Sequence, residues 1–202
     1  QREDPERDEQ PENPRQDENL WHIAGWHRRH NIGDEQPSIS PDEHLASLPK
    51  NSLVVPLYMY DHGGIRLSTE PFSCPWDSGQ VGHCWVTPKQ IKQEYGKDTP
   101  QNRQTALEVL KAEINTYNKY IDGDCWLLTI QDEDGQSDTY GGYMGGDVVD
   151  NGMIENIEDE DLEAFMEAAE EGGATVDRDK VSQWKARCAA HQLQIRTQEG
   201  NT

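Results

Sequence analysis

The sequence predicts an α+β protein: a mixed, mostly antiparallel sheet of about five strands covered by one long helix, a C-terminal helix pair, and a disordered acidic N-terminal tail. Three observations carry that expectation. Short runs of apolar, β-branched or aromatic residues at 20–27, 53–60, 65–68, 82–87, 125–131 and 138–143 have strand length and are bounded by Gly, Pro, Asn or Asp. Leu107, Leu110, Ile114, Tyr117 and Ile121 recur at spacings of three and four, the period of a helix with one apolar face. The charge is segregated. Of a net −21, residues 1–19 carry −5 (eight acids, three Arg), 131–138 carry −4, and 147–171 carry −11 with no Lys or Arg. These features divide the chain into a tail (1–19), a core domain (20–156), a helical hairpin (157–194) and a second tail (195–202).

Residues 1–19 contain no apolar side chain except proline, so nothing in them favours burial and disorder is expected. Leu20 to Trp26 is the first segment able to enter a core. A basic knot, His27-Arg28-Arg29-His30, follows in a chain with little positive charge elsewhere. Gly33 to Pro49 is a polar connection in which Pro41-Asp-Glu-His-Leu starts a short helical turn. Leu53 to Tyr60 is apolar at nearly every position, as in a strand buried on both faces. Pro56 within it lacks a backbone donor and so marks an edge or a break. Asp61-His62-Gly63-Gly64 is a turn, and Ile65 to Ser68 is the return arm. Pro71 to Gly79 is a loop, where Phe72 and Trp76 are expected to pack down.

Thr87-Pro88-Lys89-Gln90 has the form of a capping box and starts a short helix; Thr99-Pro100 opens the long one, which ends at Gly123. Cys125 to Ile130 and Ser137 to Tyr143 form a hairpin around Asp134-Gly135. The spacing of Asp132, Asp134 and Asp138 suggests calcium, but Gly135 stands fourth rather than sixth, which favours the plain hairpin. Two further helices follow, 156–171 and 176–194, joined at Gly172-Gly173. In the second, Val181, Trp184, Cys188 and His191 are expected to face inward.

Tyr58-Met-Tyr-Asp-His-Gly-Gly-Ile65, Pro71-Phe-Ser-Cys-Pro-Trp-Asp-Ser-Gly-Gln-Val-Gly82 and Trp26-His-Arg-Arg-His-Asn-Ile-Gly-Asp34 resemble a family of small uncharacterised proteins of bacteriophages, prophages and plasmids. The resemblance runs from about Trp21 to Ile157. It implies a mobile-element accessory protein acting in the cytoplasm of a prokaryotic host, and no reaction.

Four cysteines without a C-x-x-C pair point to free thiols, with a Cys74–Cys84 bridge as the less favoured alternative. No apolar run approaches the ~18 residues of a membrane span, and no metal or cofactor motif is present. A surface this acidic is a poor partner for free nucleic acid.

The candidate binding residues are Trp26, His27, Arg28, Arg29, Asp61, His62, Trp76, Asp77 and Ser78, expected to meet at one end of the sheet, with Arg28 or Arg29 beside Asp77. The favoured function is non-enzymatic: binding a host protein, with the acidic 147–171 segment imitating nucleic-acid phosphates toward a basic nucleic-acid-binding protein. The alternative is a small enzyme, or a nucleotide- or metal-binding protein, using Asp61, His62, Asp77, Ser78, His83 and Cys84.

Overall fold

A computed structural model describes residues 2–131 and 134–199; at Arg2 and 192–199 only the backbone is described. In chain order the elements are β1 (Arg2–Arg7), β2 (His22–Gly25), α1 (Pro41–Ser47), β3 (Leu53–Asp61), β4 (Ile65–Ser68), β5 (Ser78–Val86), α2 (Pro88–Tyr95), α3 (Pro100–Ile121), β6 (Cys125–Gln131), β7 (Ser137–Met144), α4 (Leu162–Glu171) and α5 (Arg178–Glu199). Single 3-10 turns stand at Pro14–Gln16 and Met153–Asn156. The protein is α+β, and the pairings within both of its sheets are antiparallel. The expected single sheet is instead two, and the chain forms two compact units: 12–122, and 1–11 with 123–202.

In the unit 12–122 the strand order is β2-β5-β3-β4. β4 pairs only with Tyr58–Asp61 of β3, so the first half of β3 is an edge on that side, and Pro56 lies there. The β3–β5 register shifts immediately afterwards, between Leu57 and Tyr58. Thr87 and Gln90 form the expected capping box of α2. α3 covers the sheet with Ala106, Leu110, Ile114 and Tyr117, all buried against Trp21, Ile23, Leu57, Met59 and Leu67. Asn118, on the same face, closes the β4 edge. Its amide accepts from the Leu67 N–H at 2.7 Å and donates to the Leu67 carbonyl at 2.9 Å, so that residue's backbone is satisfied without another strand.

The expected disorder of 1–19 is corrected. β1 adds to β6 over six residues, and the Asp8 N–H reaches the Cys125 carbonyl at 2.9 Å. Glu3 and Pro5 are buried, and the Arg7 guanidinium lies 4.4 Å from the Trp126 ring centroid. The strand is held by its backbone ladder and by α4 rather than by apolar side chains. Gly172, at the end of α4, passes so close to β1 that a Cβ there would stand 2.7 Å from the Pro5 carbonyl. Further along, Arg15 is buried and joins Asp34 (2.8 Å) and Glu113 (3.0 Å), which ties the segment to the core of the unit 12–122.

The unit of 1–11 with 123–202 has strand order β1-β6-β7 and a core of Trp126, Leu128, Met153, Ile154, Leu162, Phe165, Met166 and Ala169. Here three boundaries are corrected. α4 begins at Leu162 rather than 156, because 153–156 closes as a 3-10 turn on Met153 and Ile154. α4 and the sheet share one core, so a hairpin domain beginning at 157 is not a separate unit. α5 runs to Glu199, so a tail from 195 is not present; 200–202 lie outside the described residues. Val181 is buried and Trp184 packs beside it, whereas Cys188 and His191 are exposed. Asp132, of the calcium reading, also lies outside the described residues. All four cysteines are free.

Candidate functional site

The sheet register places the site. Tyr60 pairs with Ser78, and the Asp61 N–H donates to the Asp77 carbonyl at 2.8 Å, so the β3–β4 turn lies beside the loop that enters β5. β2 ends where Gly25 faces Gly82, and the Trp26 N–H donates to the Val81 carbonyl at 2.7 Å. The basic knot is thereby carried across the start of β5. Among the residues lining the resulting groove, of about 350 Å³, are His27, Arg29, Asp61, Trp76, Asp77 and Ser78.

The ion pairs differ from the expected one. Arg29 joins Asp61, not Asp77, and His30 Nε2 lies 3.4 Å from the same carboxylate. The partner of Asp77 is His62, at 3.4 Å. Arg28 is exposed and makes no ion pair among the described residues. The rings of His27 and His30 stack at 5.1 Å. His27 Nδ1 is buried without a hydrogen-bond partner, and burial, then the charges of His30 and Arg29, holds His27 below the ordinary histidine range. Phe72 packs on Tyr60 as expected, but Trp76 is 91% exposed.

Trp26 faces a second cleft, of about 430 Å³, bordered by α1 and β5. Its ring meets His83 at 5.1 Å and His44 at 5.5 Å, and its Nε1 donates to the Ile39 carbonyl. His44 Nδ1 lies 2.8 Å from His83 Nε2, and His44 Nε2 lies 3.1 Å from Glu35 Oε1. With Glu35 ionised and His44 neutral, His44 Nε2 carries the proton and its Nδ1 accepts from His83 Nε2–H; with His44 charged, its Nδ1–H donates to His83 Nε2 instead. In the first arrangement His83 Nδ1 is left as an acceptor. Burial, and then His44, pushes His83 below the ordinary histidine range. His83 was a sequence candidate; Glu35 and His44 were not, since nothing in their spacing marks them. Ser40 and Glu43 build a capping box that fixes α1 and so sets the His44 ring.

Comparison with protein-family models, curated proteins and solved structures gives no match.

The nucleophiles of the enzymatic alternative are held in unreactive settings. Cys84 is fully buried and its thiol is pushed up to about 12, so it carries no thiolate at neutral pH. The Ser78 hydroxyl donates to the Cys74 carbonyl at 2.5 Å, and the Cys74 thiol to Asp77 at 3.6 Å. Among the described residues no group of three His, Cys, Asp or Glu is placed to hold a metal ion. No helix among them is long and apolar enough to cross a membrane.

Proposed function

We propose that this chain is a non-enzymatic binding protein whose partner docks on the groove lined by Arg29, Asp61 and Trp76. The observation that carries the reading is Trp76. A tryptophan 91% exposed at the edge of a groove gains nothing for the fold, and Trp and Arg are the residues that most often anchor partners. Arg29 and Asp61, already paired, offer a donor and an acceptor fixed in place before a partner arrives. The resemblance to phage and plasmid proteins supports an accessory role in a prokaryotic cytoplasm, with a host protein as the target.

The charge distribution suggests that the partner is basic. Residues 1–11 and 123–202 hold 24 acids against 7 bases, a net −17, whereas 12–122 hold 15 against 11, a net −4. Arg178 answers Glu163 and Glu170, and Lys180 answers Asp147 and Asp150. Glu158, Asp159, Glu160, Glu167 and Glu171 remain exposed with no ion-pair partner among the described residues. Such a face suits imitation of nucleic-acid phosphate toward a nucleic-acid-binding protein. Capture from bacterial lysate tests this, using the wild type and a variant with Glu160, Asp161, Glu163 and Glu167 changed to Lys. The wild type is expected to hold a basic protein that salt releases, and the variant to lose it. Retention by the variant at low salt would overturn the mimicry.

A further inference from the structure

We infer that the cleft beside His83 receives an arginine side chain of that basic partner. The inference rests on the reading of the chain as a binder of a basic protein, and gives it a point of attachment distinct from the Trp76 groove. Val81 lines both hollows, so one partner surface can reach them together.

The walls favour a flat cation rich in N–H donors. The Trp26 indole, fixed by its hydrogen bond to the Ile39 carbonyl, offers an aromatic surface on which a planar guanidinium stacks better than an ammonium does. Asp42, exposed in the first turn of α1, makes no ion pair among the described residues and presents a carboxylate that a guanidinium engages with two N–H groups. Gln80 spends its amide N–H on the Gly82 carbonyl at 3.2 Å, which leaves its oxygen as an acceptor. With His44 neutral, the hydrogen bonds through His44 to Glu35 leave His83 Nδ1 without a proton, a further acceptor in the lining. The lining contains no Lys or Arg to compete for these acceptors, and Leu45, 39% exposed, supplies an apolar rim for the methylene stem. The volume, about 430 Å³, exceeds what one side chain needs, so backbone of the partner can enter with it.

The Glu35–His44–His83 array has no other evident task. It carries no nucleophile, and an apolar pair would pack β5 against α1 at lower desolvation cost. In its neutral arrangement the array directs a histidine acceptor, rather than a donor, to the lining, which recognition of a donor requires.

The test is titration of the intact chain with N-acetyl-arginine amide, followed by NMR of the histidine rings and tryptophan indole N–H groups. Saturable shifts at His83 and Trp26 are expected at millimolar concentration, the range of a single anchoring side chain. The uncharged isostere N-acetyl-citrulline amide should bind at least ~10-fold more weakly, and Asp42→Asn should weaken the arginine probe by roughly 3- to 10-fold. Asp42 is exposed, so an unchanged melting temperature will show that this variant is folded. Absence of shifts, equal binding of the citrulline probe, or shifts confined to acidic 158–171 would each overturn the inference. Tighter binding of N-acetyl-lysine amide would overturn the guanidinium assignment, and tighter binding of free arginine would make this a metabolite site instead. If the probe fails while a basic protein is still captured from lysate, the cleft assignment falls and the proposed function stands. If the probe binds and no partner is captured, the reverse holds.

Discussion

Arg15 is the most demanding test of the corrected N-terminal segment. Its side chain is 2% exposed. Nε and Nη2 bind the two oxygens of Asp34 at 2.8 and 3.0 Å, Nη1 binds Glu113 and Asn19 at 3.0 Å each, and Nη2 also reaches the Trp21 carbonyl at 2.6 Å. Both carboxylates are otherwise engaged: Asp34 accepts from the Ile23 N–H and Glu113 from the Leu20 N–H, each at 2.9 Å. Burial works against the guanidinium charge, and these two acids outweigh it, so Arg15 stays charged. Arg15→Met keeps much of the volume and strands the Glu113 and Asp34 carboxylates, whose side chains are 12% and 23% exposed, without a counter-charge. Removing one partner of such a network costs about 3–5 kcal/mol. At 2–4 °C per kcal/mol for a chain of this size, the melting temperature should fall by roughly 6–20 °C. Urea unfolding followed by tryptophan fluorescence measures it. Adding Asp34→Asn and Glu113→Gln should recover much of the loss, because both amides still accept from the backbone and no charge is left stranded. A cost below about 1 kcal/mol for Arg15→Met, the size of an exposed pair, would refute the reasoning.

Deleting residues 2–7 should lower the melting temperature of the unit holding 123–202 by at least ~5 °C, roughly 2 kcal/mol, since β6 loses a neighbour and α4 its contact; an unchanged transition would return the segment to a dispensable tail. Glu3 is 3% exposed, its Oε2 has no partner, and burial together with Asp161 raises its carboxyl above the usual range. The folded state therefore favours the protonated form. Stability is fully present below the unfolded value near ~4.3 and falls as pH rises through the raised folded value. Glu3→Gln should stabilise the protein at pH 7 by about 1 kcal/mol and remove that slope in thermal melts at pH 4–7; an unchanged slope would assign it elsewhere. Leu110→Ala should cost about 2–5 kcal/mol in urea unfolding, as its side chain is 1% exposed in the α3 core, and a neutral result would place α3 off the sheet.

Most strands and helices were legible because their signal is local. The capping box at Thr87 and the period of α3 lie within single elements, and Leu53–Asp61 needs no neighbour to be apolar. β1 was not legible, because Arg-Glu-Asp-Pro-Glu-Arg carries no strand propensity and its reason to be extended resides in β6, more than a hundred residues away. The division into two sheets is likewise a property of pairing, which alternation does not encode. At the site, the Trp26–Arg29 and Trp76–Ser78 segments stand out because each holds more special residues than a turn requires; His27 and Arg29 line one groove with Trp76, Asp77 and Ser78, whereas Trp26 lines another. The backbone hydrogen bond from Asp61 to Asp77 sets these two residues side by side, and Asp61 rather than Asp77 takes the Arg29 guanidinium. Glu35 and His44 lie in a connection that reads as polar filler, and only the fold brings them to His83.

The central claim, that the Trp76 groove is a docking surface, is tested most directly by calorimetric titration of the captured partner with wild type and Trp76→Ala. The side chain is 91% exposed, so the variant should melt like the wild type. Its affinity should fall at least ~30-fold, the ~2 kcal/mol of an anchoring residue. An affinity within ~2-fold of wild type, with the fold intact, would contradict the account and leave Trp76 as an ordinary surface residue.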